Sequence, residues 1–129
     1  MKTLSQVLKF HDAFGVPVHS KPHLTDEKTN RLRVDLLKEE TSELQCAIEA
    51  RDPVAVLDAL TDLQYVLDGA YLSLGFGLAK EEAFAEVHAS NMSKLGVDGK
   101  PVRRSDGKIL KGPNFRKPEL QAIIQSIQA

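Results

Sequence analysis

Several things are scarce in this chain of 129 residues, and each scarcity excludes something. A single cysteine, Cys46, cannot staple the fold through an internal disulfide, which suits a reducing compartment. Within a helical pattern it reads as a small buried side chain. Aromatic residues make up 5% of the chain and tryptophan is missing, so the core must rest on Leu, Val, Ile and Ala. No apolar run approaches the ~18 residues of a membrane span, and the N-terminus lacks the apolar stretch of a signal peptide. The expectation is one soluble, cytoplasmic domain over residues 1–129, without a membrane partner.

The charge is unevenly spread. A net charge of −1 conceals a segment, 94–117, that carries +6 and leaves −7 on the remainder. Such segregation suggests an anionic ligand or a self-complementary assembly.

The pattern predicts an all-α helical bundle of four to five helices. The first spans 3–14, with Leu4, Val7, Leu8 and Phe14 on one side, and "GVPVHSKPHL" (15–24) interrupts it. The second runs from a cap at Thr25 or Asp26 to about Arg51. "RDP" (51–53) supplies an N-cap and a first-turn proline for the third, which ends near Leu74 before Gly75. A fourth covers 79–95, and 97–118 reads as an irregular basic segment. Residues 118–127 form a last short helix. Within the loop, His19, Lys21 and His23 read as solvated. "DGK" occurs twice, at 98–100 and 106–108, each a turn.

Carboxylates are the chief anomaly. In "LLKEETSELQ" (36–45), Asp35, Glu39 and Glu43 form a like-charge ladder at i, i+4 spacing, destabilising by a few tenths of a kcal/mol per pair (about 0.2–0.5). At about 100° per residue, Leu32, Leu36 and Ala47 share the arc of Glu39, Glu40 and Glu43. Val34, Leu37, Leu44 and Ile48 make the expected core stripe opposite. The next helix, "VAVLDALTDLQYVLDGAYLSLG" (54–75), is apolar nearly all round yet carries Asp58 and Asp62 one turn apart. Asp68 lies elsewhere, exposed or structural. Buried carboxylates are costly without a cation. Glu39, Glu40, Glu43, Asp58 and Asp62 on two neighbouring helices would form a cage of hard oxygen ligands for Mg²⁺, with Mn²⁺ as the alternative. An acidic surface patch with one or two satisfied core Asp residues is the plainer reading. His88 alone is an ordinary surface or core residue, and Asn91 and Lys94 together suit a phosphate or a base edge.

Five segments in order resemble a known family. "EETSE" (39–43) is similar to the EExxE element of the all-α nucleoside triphosphate pyrophosphohydrolases, the MazG-like and phosphoribosyl-ATP pyrophosphohydrolase-like superfamily. "DALTDLQYVLDGA" (58–70) resembles its second metal-binding helix. "FHDAFGVP" (10–17), "EVHASNMSKL" (86–95) and "DGKILKGPNF" (106–115) resemble a subgroup labelled Cof-like phosphohydrolases. The resemblance implies a fold completed by dimerisation, as a homodimer or a dimer of dimers. It also implies Mg²⁺-dependent cleavage of a nucleoside triphosphate to monophosphate and pyrophosphate. Glu39, Glu40, Glu43 and Asp62 match the metal-binding carboxylates, with Glu40 or Glu43 positioning the water. Where the wider family carries Glu, this chain has Ala59, and Asp58 is the neighbouring substitute. Asn91, Lys94, Arg103, Arg104, Lys108 and Lys111 would hold the substrate's phosphates. The alternative is a catalytically inactive, nucleotide-binding regulatory module. The acidic remainder and the lack of interleaved aromatics argue against a nucleic-acid partner.

Overall fold

A computed structural model describes residues 2–128. The elements are α1 (Lys2–Phe14), α2 (Glu27–Glu49), α3 (Pro53–Leu74), a 3₁₀ turn (Gly77–Ala79), α4 (Lys80–Met92), β1 (Val102–Arg103), β2 (Ile109–Leu110) and α5 (Gln121–Gln128). They fall into two compact units, 1–78 and 79–129.

The first unit is a helical hairpin, α2 against α3, with α1 packed on α3. Its ends are set by local chemistry. Asp26 accepts from the backbone of Thr29 to start α2, and Asp52 accepts from Val54 and Ala55, with Pro53 beside it, to start α3. Gly75 ends α3 in the left-handed region (φ 84°), and a Cβ there would sit 1.8 Å from the carbonyl oxygen of Lys21. Both the backbone angle and the close approach require glycine. The 15–24 segment crosses this end and satisfies its orphan carbonyls. His19 N–H donates to Leu72, His23 N–H to Leu74, and the His19 ring Nδ1 to Ser73. His19 stacks on His23 at 3.9 Å, so these rings are structural rather than merely solvated.

The expected core stripe of α2 holds in part: Leu37 and Leu44 are partly buried, and Leu37 lines a hollow with Leu67, Ala70 and Leu74 of α3. Val34 and Ile48 are about half exposed, whereas Arg33 and Ala47 are buried. Part of the carboxylate arc also meets α3, because small residues such as Ala47 and Ala59 let the two helices approach there. Phe14 is likewise exposed, lying outside the Val7 core and stacked on Phe10 at 4.4 Å. Cys46 is exposed rather than buried. Asp68 is fully buried, accepting from Gln64 at 3.1 Å, so its role is structural and not that of a surface charge.

In the second unit, residues 97–118 are more ordered than expected. β1 and β2 pair antiparallel, Val102 opposite Leu110 and Arg103 opposite Ile109. Two-residue strands carry no readable alternation, which is why the sequence pattern hides them. Both "DGK" turns are present. In each, the Asp side chain accepts from the Lys backbone, at 3.0 Å for Asp98 and 3.1 Å for Asp106, and the Gly has positive φ. Gly112 N–H donates to Lys94, with a Cβ excluded by the carbonyl of Leu95 at 2.4 Å. Arg116 pairs with Glu86, and its carbonyl accepts from Ser90. No helix among the described residues is long and apolar enough to cross a membrane.

Candidate metal centre

The antiparallel α2/α3 hairpin sets Glu40 opposite Asp62, and one ligand oxygen from each of Glu40, Glu43 and Asp62 lies within 4.8 Å of the others. Glu40 is half-buried, and its Oε2 is shielded from solvent without a hydrogen-bond donor. Desolvation, a hydrogen bond shared with Glu43 and the charges of Glu43, Asp62 and Glu39 push its carboxyl up to about 7. Three acid groups converging on one space, one of them holding its proton near neutrality, match what a hard divalent cation needs. The oxygen-only donor set and the unserved Glu40 Oε2 therefore fit Mg²⁺ or Mn²⁺.

The other proposed ligands stand apart. Glu39 is exposed and outside the converging trio, acting on Glu40 through its charge. Asp58, also exposed, lines a groove with Glu43 and Cys46 further toward the α2–α3 turn. Ala59 is buried in the helix seam beside it, where its small side chain lets α2 and α3 pack.

The proposed phosphate ligands all belong to the second unit. Arg104 is clamped to Asp106 through two hydrogen bonds, Arg103 donates to the Gly107 carbonyl at 3.2 Å, and the Lys111 ammonium lies 4.8 Å above the Phe115 ring. Asn91 is exposed near the end of α4, Lys94 follows in the turn after it, and Lys108 is exposed just before β2. The two arginines thus already serve the hairpin, which the alternation of basic residues with glycine in the sequence did not reveal.

Two residues of the first unit escaped the sequence pattern. Arg33 is only 6% exposed and its Nε has no hydrogen-bond partner. His11 is 2% exposed, with Nδ1 3.3 Å from the Pro17 carbonyl. Both line a pocket of about 280 Å³ on the same α2/α3 seam, with Phe10, Leu36, Tyr65 and Gly69 among its walls. The available signal was Gly69, a glycine inside a helix, where Ala would be more stable by about 1 kcal/mol.

In comparison with protein families, the profile of the phosphoribosyl-ATP pyrophosphohydrolase family matches residues 7–91, from α1 through most of α4. No curated protein gives a significant match to the chain.

Proposed function

The chain belongs to the phosphoribosyl-ATP pyrophosphohydrolase family, and from that premise we propose that it hydrolyses a nucleoside triphosphate to the monophosphate and pyrophosphate with Mg²⁺. The observation that carries the reading is the convergence of Glu40, Glu43 and Asp62 on one space. Those three residues would hold the ion; Glu39 and Asp58, outside the trio, would tune it by charge. A divalent ion, when bound, neutralises phosphate oxygens and lowers the pKa of a coordinated water.

The remaining steps fall to side chains. Water adds to the α-phosphorus and the α–β bridging P–O bond breaks, so pyrophosphate leaves and no covalent enzyme intermediate forms. Whichever of Glu40 and Glu43 is less engaged by the ion orients that water and accepts its proton. Asn91, Lys94, Lys108 and Lys111 are assigned to the remaining phosphate oxygens, with Arg103 and Arg104 contributing where their hairpin bonds permit.

The same reading includes a homodimer in the cytoplasm, alone or paired into a tetramer. Val54 (79%) and Leu57 (67%) are exposed on α3, Leu57 lines one apolar hollow with Ile48 of α2, and a second copy would cover them. A regulatory module that binds but does not cleave is favoured by one observation, Ala59 where the wider family has Glu.

The test is a panel of canonical and modified nucleoside triphosphates incubated with Mg²⁺ or EDTA, with separate detection of pyrophosphate and orthophosphate. Metal-dependent pyrophosphate release is expected. No turnover by folded, metal-loaded protein would leave the regulatory module in its place.

A further inference from the structure

Three Asp-Gly pairs occur in the chain, at 68–69, 98–99 and 106–107, and no Asn-Gly. Asp-Gly is the linkage most open to spontaneous rearrangement, because glycine has no side chain to shield its nitrogen from the neighbouring carboxyl carbon. The three pairs sit in different surroundings. Two of them differ at essentially one residue.

Asp68-Gly69 lies inside α3, where Asp68 is fully buried and accepts from Gln64. A helix fixes the backbone and keeps the glycine nitrogen in its hydrogen-bond ladder, so this pair is inert. The other two pairs are exposed and fold into the same turn. Gly99 N–H donates to the Gly96 carbonyl at 2.9 Å, as Gly107 N–H does to that of Arg104 at 2.9 Å. Gly96 N–H donates to the Lys100 carbonyl at 2.7 Å, and Arg104 N–H to that of Lys108 at 2.8 Å. Each aspartate accepts from the lysine N–H two residues on, at 3.0 and 3.1 Å. The glycine φ angles are 75° and 89°, and a Cβ at either would meet open space. The backbone that carries nucleophile and carboxyl is therefore matched.

The first residue of the turn is not. Arg104 forks onto the Asp106 carboxylate through Nε, at 3.0 Å, and Nη2. Gly96 offers no side chain at the equivalent place, and among the described residues no cation clamps Asp98. The Arg104 hydrogen bond, with the Lys108 N–H adding to it, holds the Asp106 carboxyl below the usual carboxylate range. That matters chemically, since a carboxylate is a poor electrophile and only the acid can expel water. The fork must open before Asp106 can react.

We propose that Asp98 is a site of spontaneous isomerisation to isoaspartate, and that the Arg104 fork suppresses the same reaction at Asp106. The Gly99 nitrogen attacks Cγ of the Asp98 carboxylic acid. The N–Cγ bond forms, the Cγ–OH bond breaks, and the hydroxyl leaves as water with the amide proton. Water then opens the succinimide. Cleavage of N–Cγ returns aspartate. Cleavage between the nitrogen and the Asp98 backbone carbonyl carbon leaves the chain running through Cβ and Cγ, with a free α-carboxylate. Water is the only co-reactant, and mass is unchanged overall. The rerouted backbone is one methylene longer, which disrupts the Gly96–Lys100 pairing that closes the turn before β1.

The experiment holds full-length protein near neutral pH at physiological temperature and follows isoaspartate at each position over time. Electron-transfer fragmentation of its peptides locates the isoaspartyl linkage, and methyl transfer by a protein isoaspartate methyltransferase measures the total. Isoaspartate is expected at 98 at about threefold or more the rate at 106, the fork being an exposed ion pair of modest strength, with none at 68. Arg104→Gln should raise the rate at 106 to that at 98 and leave 98 unchanged. Equal rates at 98 and 106 in the wild type, or no isoaspartate at 98, would overturn the assignment. A rate at 106 that does not rise in Arg104→Gln would overturn the protective role of the fork.

Discussion

The two ends of the α2/α3 seam in the first unit pose opposite electrostatic problems. At one end Glu40, Glu43 and Asp62 crowd together, carboxylate against carboxylate. Two turns away Arg33 is buried with no hydrogen-bond partner at its Nε, beside His11, whose pKa burial lowers. Neither end is optimised for the stability of the isolated chain, and each lacks what the other has in excess. Yet they do not neutralise one another, because two helical turns and the apolar Leu36 and Val66 intervene. The lesson is that one helix seam can hold uncompensated groups of opposite sign two turns apart.

The contrast is broken most severely at the acidic end. Glu40→Ala and Asp62→Ala should each reduce pyrophosphate release by more than about 100-fold, beyond the 10–100-fold typical of outer partners of a metal, while circular dichroism stays helical. Glu39→Gln should cost only about twofold, since Glu39 is exposed and stands outside the trio. Steady-state rates at saturating Mg²⁺ check both; a Glu39 effect as large as that of Glu40 would redraw the cluster.

Stability should separate the two ends as well. Glu40 has a folded pKa of about 7 against an ordinary 4.5, so the folded state binds the proton more tightly than the unfolded state does. Its contribution is complete below pH 4.5 and is lost as pH rises through about 7. Metal-free protein should therefore lose Tm across that window in thermal melts. Mg²⁺ should restore it most above pH 7, and Glu40→Gln should flatten the loss.

At the other end, Arg33→Met should raise Tm by about 3 °C or more, because removing a buried unpartnered charge relieves its desolvation. A fall in Tm would mean that the guanidinium holds the fold together.

The smallest effect is expected away from the seam. Arg104→Ala removes an ion pair whose two side chains are more than half exposed, and should leave the midpoint of a denaturant titration almost unmoved.

These two ends also differ in how plainly the sequence announces them. "EETSE" and Asp62 lie on consecutive helices with standard caps, so a periodicity argument alone brings them together. The basic pocket needs a histidine from α1, an arginine from α2 and a missing side chain on α3, and no spacing rule joins three elements. Asp58 shows the limit of spacing in the other direction, since one turn from Asp62 places it in the neighbouring groove with Cys46. The partly exposed core stripe has a related cause. Val34 and Ile48 make a well-formed apolar face, but hydrophobicity alone does not say whether it meets the same chain or another. In the second unit, the Gly112 contact and the Arg104–Asp106 clamp depend on turns whose closure only three dimensions show.

The central claim is that Glu40, Glu43 and Asp62 hold a divalent cation. It is tested most directly by titrating Mn²⁺ into metal-free protein at pH 7 in two buffers of different ionisation enthalpy. Saturable binding with release of part of a proton is predicted, with both binding and release lost in Glu40→Gln and Asp62→Asn. Binding of undiminished affinity in those variants, or no binding by the wild type, would contradict it.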